Sequence, residues 1–401
     1  MFTFAKPLDH ITEEDLLQLI TAGVIEGRTL EYKRALPGAT EDAKKELARD
    51  VVSFANGVGG HIIFGVEAEK GIPRRFIPIS ETAVDDAKLR IESIVRTRIQ
   101  PALQGFRLEA VKVSGGFVLI VEISRGLFGP HMIMGRGAFI ARTSSGKAEL
   151  DVAEIRAAFA GAEAASERLR EFRAERTFRL QNNDALWPLA DRNLMVIHAV
   201  PLAAFASNEQ LVAANKIPQD VATRLYPTGR PPQVFTPTIT FDGYANLMRR
   251  GDRVFAYSNV YRNGVIENVN ADFLHQYLAD DGPYIPLSFL EILFMECAER
   301  MLTITRLLQI PAPYYFLIAL LNAKGFRGST DPAAHYEPEV RTLDRTNLIL
   351  PEVLLQDPDV AIEREMQLTF DLLWNAFGWT HSPSYDANGN YLGDRRRYFR
   401  R

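Results

Sequence analysis

Cysteine is almost absent from this 401-residue chain, where Cys297 stands alone. A single thiol excludes an intrachain disulfide and a multi-thiolate zinc centre, and such usage suits a reducing compartment. The seven histidines (His10, His61, His131, His198, His275, His335 and His381) nowhere take the His-x-x-x-His spacing of a metal-binding helix. No apolar run approaches the roughly 20 residues of a membrane span, residues 311–323 being the most apolar stretch. Residues 1–10 lack the charged start and apolar core of a signal peptide. The expectation is a cytoplasmic protein with no membrane partner. A Gly-x-Ser-x-Gly elbow is missing. So is a Walker A loop: around Gly146-Lys147, Ala141 stands where the first glycine belongs and Ala148 where the hydroxyl belongs. Charge of one sign is lacking as well. Lys plus Arg number 46 against 50 Asp plus Glu, a net charge of -4. That excludes a chain basic throughout, and leaves room for a local basic surface, which is all a phosphate senses.

What is present is an ordinary globular composition, 47% hydrophobic and 24% charged. At roughly 150 residues per domain the length suggests two or three domains. Residues 11–19 read as a helix with Thr12 as N-cap and Asp15 three residues on. Residues 30–36 read as a strand, residues 40–56 as a helix opened by Thr40 with Leu47, Val51, Phe54 and Ala55 inward, and residues 61–66 as a central strand. A helix over 85–99, a hairpin around Ser114-Gly115-Gly116, a strand over 138–142 and a helix over 151–161 complete a first α+β domain, residues 1–163. Residues 164–181 form an Arg-rich helical linker carrying Arg168, Arg170, Arg173, Arg176 and Arg179. Its arginines either line a groove or pair with Glu167, Glu171 and Glu175 along the helix. Residues 182–401 form a second mixed α/β domain. It contains a strand over 194–200, a hairpin at Asn263-Gly264, a long helix over 287–309, strands over 314–321 and 348–350, and a helix over 362–377.

The sharpest chemical pattern lies in the first domain. Glu31 and Lys33 are two apart on a strand and share a face. Glu26 lies upstream, and Glu67 and Glu69 follow the central strand. Three carboxylates and a lysine are the inventory of a divalent-metal nuclease: the acids hold Mg²⁺ or Mn²⁺, and the lysine neutralises phosphate charge. The bland alternative is a solvated amphipathic strand. Asn56 to Gly60 (NGVGG) has the look of a phosphate cradle but follows a helix, which favours a C-cap and tight turn. Arg34 is a candidate phosphate contact, and so on charge alone are Arg74 and Arg75, for which a solvated loop is the plainer reading. The tail, residues 393–401, interleaves five arginines with Tyr398 and Phe399, as an RNA-contacting arm or a frayed end. His61 and Cys297 read as buried core residues.

Glu26 with Glu31-Tyr32-Lys33-Arg34, then Val52-Ser53-Phe54-Ala55-Asn56 with Gly59-Gly60, then Ile63-Phe64-Gly65-Val66-Glu67, resembles the Schlafen AlbA_2 domain, long also labelled a divergent AAA or ATP-binding module. Phe139-Ile140-Ala141-Arg142 and the helix of Glu154-Ile155 fit that domain's ending, so the resemblance covers roughly residues 10–160. It implies RNA as partner, tRNA-like first and DNA second, and a metal-dependent endoribonuclease site on Glu26, Glu31 and an acid after Gly-Val, with Lys33 and Arg142 at the phosphate. It also implies a role in stress response or phage defence. This sequence departs from the family at that last acid. Two aspartates are usual after Gly-Val, and here the run is Glu67-Ala68-Glu69. The metal set is therefore Glu26, Glu31 and Glu67 or Glu69, with Glu26, Glu31, Lys33 and Glu67 catalytic. The alternative is a non-catalytic DNA- or nucleotide-binding regulator. A homodimer is compatible with either.

Overall fold

The computed structural model describes residues 4, 8–80, 84–103, 106–126, 129–135, 137–143, 146–205, 212–228, 235–274, 278–279, 282–330, 342–355, 361–386 and 388–393. The C-terminal arginine arm, His275 and His335 lie outside them. The chain divides into two compact units, Met1–Ser166 and Glu167–Arg401. Both mix helix and strand, as the sequence leads one to expect. No helix among the described residues is long and apolar enough to cross a membrane.

The first unit opens with α1 (Glu13–Thr21), where the Asp15 carboxylate accepts from the backbone N–H and the hydroxyl of Thr12. Strand β1 (Leu30–Lys33) leads into α2 (Glu41–Ala55), whose Thr40 cap accepts from Ala43 N–H while Glu41 and Asp42 meet the positive end of the helix. Next come β2 (Gly60–Phe64), the hairpin of β3 (Val66–Glu69) and β4 (Ile72–Phe76), α3 (Val84–Arg98) and a two-residue β5 (Ile99–Gln100). The long hairpin β6 (Phe106–Val113) and β7 (Gly116–Ile123), a short β8 (Met132–Ile133), and the hairpin β9 (Ile140–Thr143) and β10 (Gly146–Glu149) complete the strands. The main sheet runs β1-β2-β7-β6, with β1 parallel to β2 and the other pairs antiparallel. Residues of α2 and α3 (Leu47, Val51, Phe54 and Ile91) pack on one face with Ile62 and Val121. Leu16 and Leu19 of α1 pack on the other with Leu30, Tyr32 and Ile63.

Two glycines are required by what surrounds them. Gly60 has φ +153°, and a Cβ there would lie 2.6 Å from the Thr29 carbonyl oxygen and 2.7 Å from the Phe54 ring. Gly71 follows Lys70 in the β3–β4 turn, both with positive φ, as a two-residue hairpin connection demands. The NGVGG stretch is a helix end: Asn56 is the C-cap of α2, and the N–H groups of Gly57 and Gly59 both donate to the Phe54 carbonyl. Those amides are turned inward and cradle no anion.

The expected helix over 151–161 and the helical linker over 164–181 are one helix, α4 (Val152–Gln181), capped reciprocally by Asp151 and Glu154. Nothing in residues 162–165, an alanine, a glutamate and two more alanines, breaks it. The division between the units falls inside this helix.

The second unit is built on an antiparallel sheet. Its central strand, β11 (Leu194–Pro201), is buried along its whole length. After α5 (Gln219–Arg224) come β12 (Thr236–Ile239), β13 (Gly243–Arg250), β14 (Arg253–Tyr261) and β15 (Ile266–Asn270). The short β16 (Leu278–Ala279) and β17 (Gly282–Pro286) precede α6 (Leu287–Leu307), β18 (Tyr314–Leu321), β19 (Arg327–Ser329), β20 (Leu348–Ile349), β21 (Val353–Leu355) and α7 (Ile362–Asn375). The sheet order is β12-β13-β14-β15-β11-β18-β20, with β21 also on β18. Residues of α6 and α7, including Phe294 and Trp374, pack with Ile197 and Ile318 on one face.

Candidate functional site

Strand alternation sets the site. Leu30 and Tyr32 of β1 point into the apolar cluster beneath α1, so Glu31 and Lys33 take the other face, in register with Ile62 and Phe64 and under α2. The pairing expected from sequence is therefore real, but the pair is largely enclosed by neighbouring side chains. Lys33 Nζ lies 2.6 Å from Glu31 Oε1 and 3.0 Å from Oδ2 of Asp50, a buried carboxylate on α2. The β9–β10 hairpin closes over them. Arg142 and Lys147 stand directly opposite each other on it. Such a like-charged cross-strand pair repels unless acids intervene, and acids do. Arg142 Nη1 bonds Glu31, while its Nε donates to the Gly27 carbonyl at 2.8 Å and its guanidinium stacks 4.5 Å from the Phe54 ring centre. Lys147 Nζ bonds Asp50 and lies 2.7 Å from Glu46 Oε1.

The network fixes its charges. Burial pushes the Glu31 carboxyl up, but hydrogen bonds and charge from Lys33 and Arg142 outweigh it and hold the group below the usual carboxylate range. Burial disfavours the Lys33 ammonium, yet Asp50 and Glu31 raise its pKa well above that of a free lysine. Lys147 is raised against its burial by Asp50 and Glu46. Burial and the Glu31 charge push the Asp50 carboxyl above its usual range, against the pull of the two ammoniums touching it. Each group is neutralised where it sits.

The remaining candidates lie elsewhere in the unit. Glu26 Oε1 accepts the Tyr32 N–H at 2.8 Å, beside the β3–β4 turn. Glu67, on β3, is held by Arg34 at 3.1 Å and by Arg75 at 2.7 Å, and Glu69 by Arg74 at 3.2 Å. Ala68 turns into the apolar cluster of Tyr32 and Val66. Among the described residues no three His, Cys, Asp or Glu side chains gather to hold a metal ion. The expected metal set of Glu26, Glu31 and Glu67 or Glu69 is thus not assembled. Each acid already has an internal donor, and the position between Glu31 and Asp50 is filled by the Lys33 ammonium. The donor set does not fit a divalent cation, which needs several free oxygens around one point.

Arg142 also departs from expectation. Its side chain is 9% exposed and engaged on three sides, so it orders the site and is not a free phosphate contact. Arg34, Arg74 and Arg75 are exposed, at 67%, 53% and 66%. His61 is buried, and burial lowers its pKa to about 4, as a core histidine requires. Asp50, Glu46 and Lys147 were not anticipated.

The Arg-rich stretch resolves differently from a groove lining. Within the second unit Arg176 donates from Nε and Nη2 to fully buried Glu267, at 2.8 Å each. Arg173 bonds Glu352 and the Leu350 carbonyl. Among the described residues Arg179, paired to Glu175, follows the intrahelical reading. The second unit also has an open cavity of about 550 Å³ lined by Phe241, Asp242, Tyr261, Arg262 and Asn263. None of the sequence-derived site residues lines it.

With the geometry set out, comparison with known proteins is informative for the first unit. Residues 26–151 match the Schlafen AlbA_2 family. The N-terminal unit is an AlbA_2 domain. No curated protein sequence matches this chain. The DIP2311 protein from Corynebacterium diphtheriae aligns over 34% of this chain and 30% of its own length, at 20% identity and a TM-score of 0.25. The N-terminal domain of an ATP-dependent DNA helicase RecG-related protein from Nitrosomonas europaea aligns over 33% of this chain and 88% of that domain, at 24% identity and a TM-score of 0.27. This chain therefore spans less than a third of the first of these structures. The AlbA_2 assignment suggests a nucleic-acid-related function and is compatible with a nuclease-type hydrolase.

Proposed function

We propose that the AlbA_2 domain binds RNA by its phosphates and does not cut it with a divalent metal. The observation that carries this reading is the partnering of the acids. Glu31 is locked by Lys33 and Arg142, and Glu67 by Arg34 and Arg75, while the guanidiniums of Arg34, Arg74 and Arg75 remain two-thirds to one-half exposed around the β3–β4 hairpin. An exposed arginine held by one carboxylate keeps donors for a second acceptor, since guanidinium carries five. Arginines pinned near one another read phosphate positions along a backbone. DNA is the second partner to test.

The test is fluorescence anisotropy with a labelled tRNA. Arg34→Ala with Arg75→Ala weakens binding about tenfold to a hundredfold and makes it less salt-dependent. An unchanged affinity in the double variant removes the hairpin surface from the interface. The second reading, a metal-dependent endoribonuclease on Glu26, Glu31 and Glu67 or Glu69, draws on the family assignment. It requires those acids to leave their present partners. Cleavage of tRNA by wild type with Mn²⁺, abolished in Glu31→Gln, establishes it and overturns the binding-only reading.

A further inference from the structure

We propose that Lys33 and Lys147, seated side by side on the buried Asp50 carboxylate, form a phosphate-binding seat that works without a divalent cation. The proposal rests on the RNA-binding reading above and extends it to a second set of residues. Lys33 Nζ contacts Oδ2 of Asp50 and Lys147 Nζ contacts Oδ1, so one carboxylate spaces two ammoniums. The Asp50 side chain is 2% exposed, while those of Lys33 and Lys147 keep 28% and 22%. The acid is sealed off, while the two lysine side chains stay partly exposed.

The donor count leaves room for a ligand. An ammonium has three N–H groups. Lys33 uses two, on Glu31 and Asp50, and Lys147 uses two, on Asp50 and Glu46. Among the described residues one donor on each is left for the oxygens of a phosphodiester. Charge points the same way. Lys33, Lys147 and Arg142 face two enclosed acids, Glu31 and Asp50, which leaves one positive charge in excess. Glu46 neutralises it, and Glu46 is the one acid of the group with a half-exposed side chain, at 52%. A phosphate oxygen replaces the Glu46 carboxylate on Lys147 as that side chain returns to water. Neutralising phosphate charge is what a metal ion does in a nuclease. Here tethered ammoniums do it, and they occupy the space a metal would need.

The test is anisotropy of labelled tRNA in excess EDTA and in Mg²⁺, on the full chain. Wild-type affinity is expected to agree within twofold between the two. Lys147→Met is expected to weaken binding about tenfold and to lower the salt slope by about 1. Glu46→Gln is expected to tighten it. Asp50→Asn discriminates most sharply. It removes a negative charge, so charge alone predicts tighter binding, whereas loss of the seat predicts weaker binding. Lys147→Met and Glu46→Gln, on a surface hairpin and an exposed helix face, decide the matter if Asp50→Asn fails to fold. Binding that needs Mg²⁺ overturns the metal-free seat. Wild-type binding that survives EDTA, with Lys147→Met and Glu46→Gln indistinguishable from it, overturns the seat and leaves the arginine surface standing. No binding by wild type in either buffer overturns both.

Discussion

Replacing Arg176 with methionine separates the structural arginines from the functional ones. Glu267 has no solvent exposure and accepts five hydrogen bonds: two from Arg176 at 2.8 Å, one from His198 at 2.8 Å, and one each from the hydroxyls of Tyr257 at 2.7 Å and Tyr261 at 2.9 Å. Burial alone raises a carboxyl pKa, but the His198 hydrogen bond and the Arg176 charge reverse the shift and hold Glu267 far below the usual carboxylate range. Breaking a buried pair from one side costs about 3–5 kcal/mol, because a charge is left without its counter-ion. Three donors remain to the carboxylate, so the lower end, about 3 kcal/mol, is expected. All three tryptophans (Trp187, Trp374 and Trp379) lie in the second unit, and Trp187 packs 4.9 Å from Tyr257. Tryptophan emission during urea unfolding therefore reads that unit alone. Arg176→Met should shift its transition by about 3 kcal/mol and leave the salt slope of RNA binding as in wild type. A shift under about 1 kcal/mol, or a reduced salt slope, would refute the assignment of this arginine to the interior.

Two further outcomes follow from single residues. Glu291 is buried, and burial raises its pKa to about 7 despite hydrogen bonds from Trp374 and Ser384. Its folded pKa exceeds the ordinary value of 4.5, so its contribution to stability is complete below pH 4.5 and is lost as pH rises through 7, about 3 kcal/mol in all at about 1.4 kcal/mol per pH unit. Glu291→Gln should flatten that fall in urea titrations between pH 5 and pH 8, and an unaltered pH profile would show that another group titrates. Gly60→Ala drives a methyl into the Thr29 carbonyl and the Phe54 ring on which Arg142 stacks. A loss of about 1–3 kcal/mol in the unfolding of the first unit by circular dichroism is expected, and a neutral effect would mean the turn relaxes.

The elements were legible where period and punctuation agree. Thr40 with Glu41 and Asp42 marks the start of α2, and alternation marks β1 and sets Glu31 and Lys33 on one face. The AlbA_2 assignment was legible for the same reason, since its motif residues are the ones that build the β1-α2-β2 unit. A shared face is legible in the sequence, and the partners that meet it are not. Spacing along a strand says nothing about which donors the rest of the chain supplies. Lys147 lies 114 residues beyond Lys33, and it entered the sequence reading only as a defective Walker loop. Asp50 left a trace that can be read in retrospect: an acid flanked by Leu47, Val51 and Phe54 falls on the inward side of α2, and an acid there needs a cation across from it. Glu267 left a weaker trace, as the one charged residue of β15, with its partner 91 residues upstream on α4.

The claim that matters most is that the AlbA_2 domain meets RNA through phosphates. The slope of log affinity against log salt concentration for wild-type protein and labelled tRNA tests it directly. With Arg34, Arg74, Arg75, Lys33 and Lys147 each meeting a phosphate, a slope of about −3.5 to −4.5 is predicted, the same in EDTA as in Mg²⁺. A slope near zero, or one that appears only when divalent cation is present, would contradict the account.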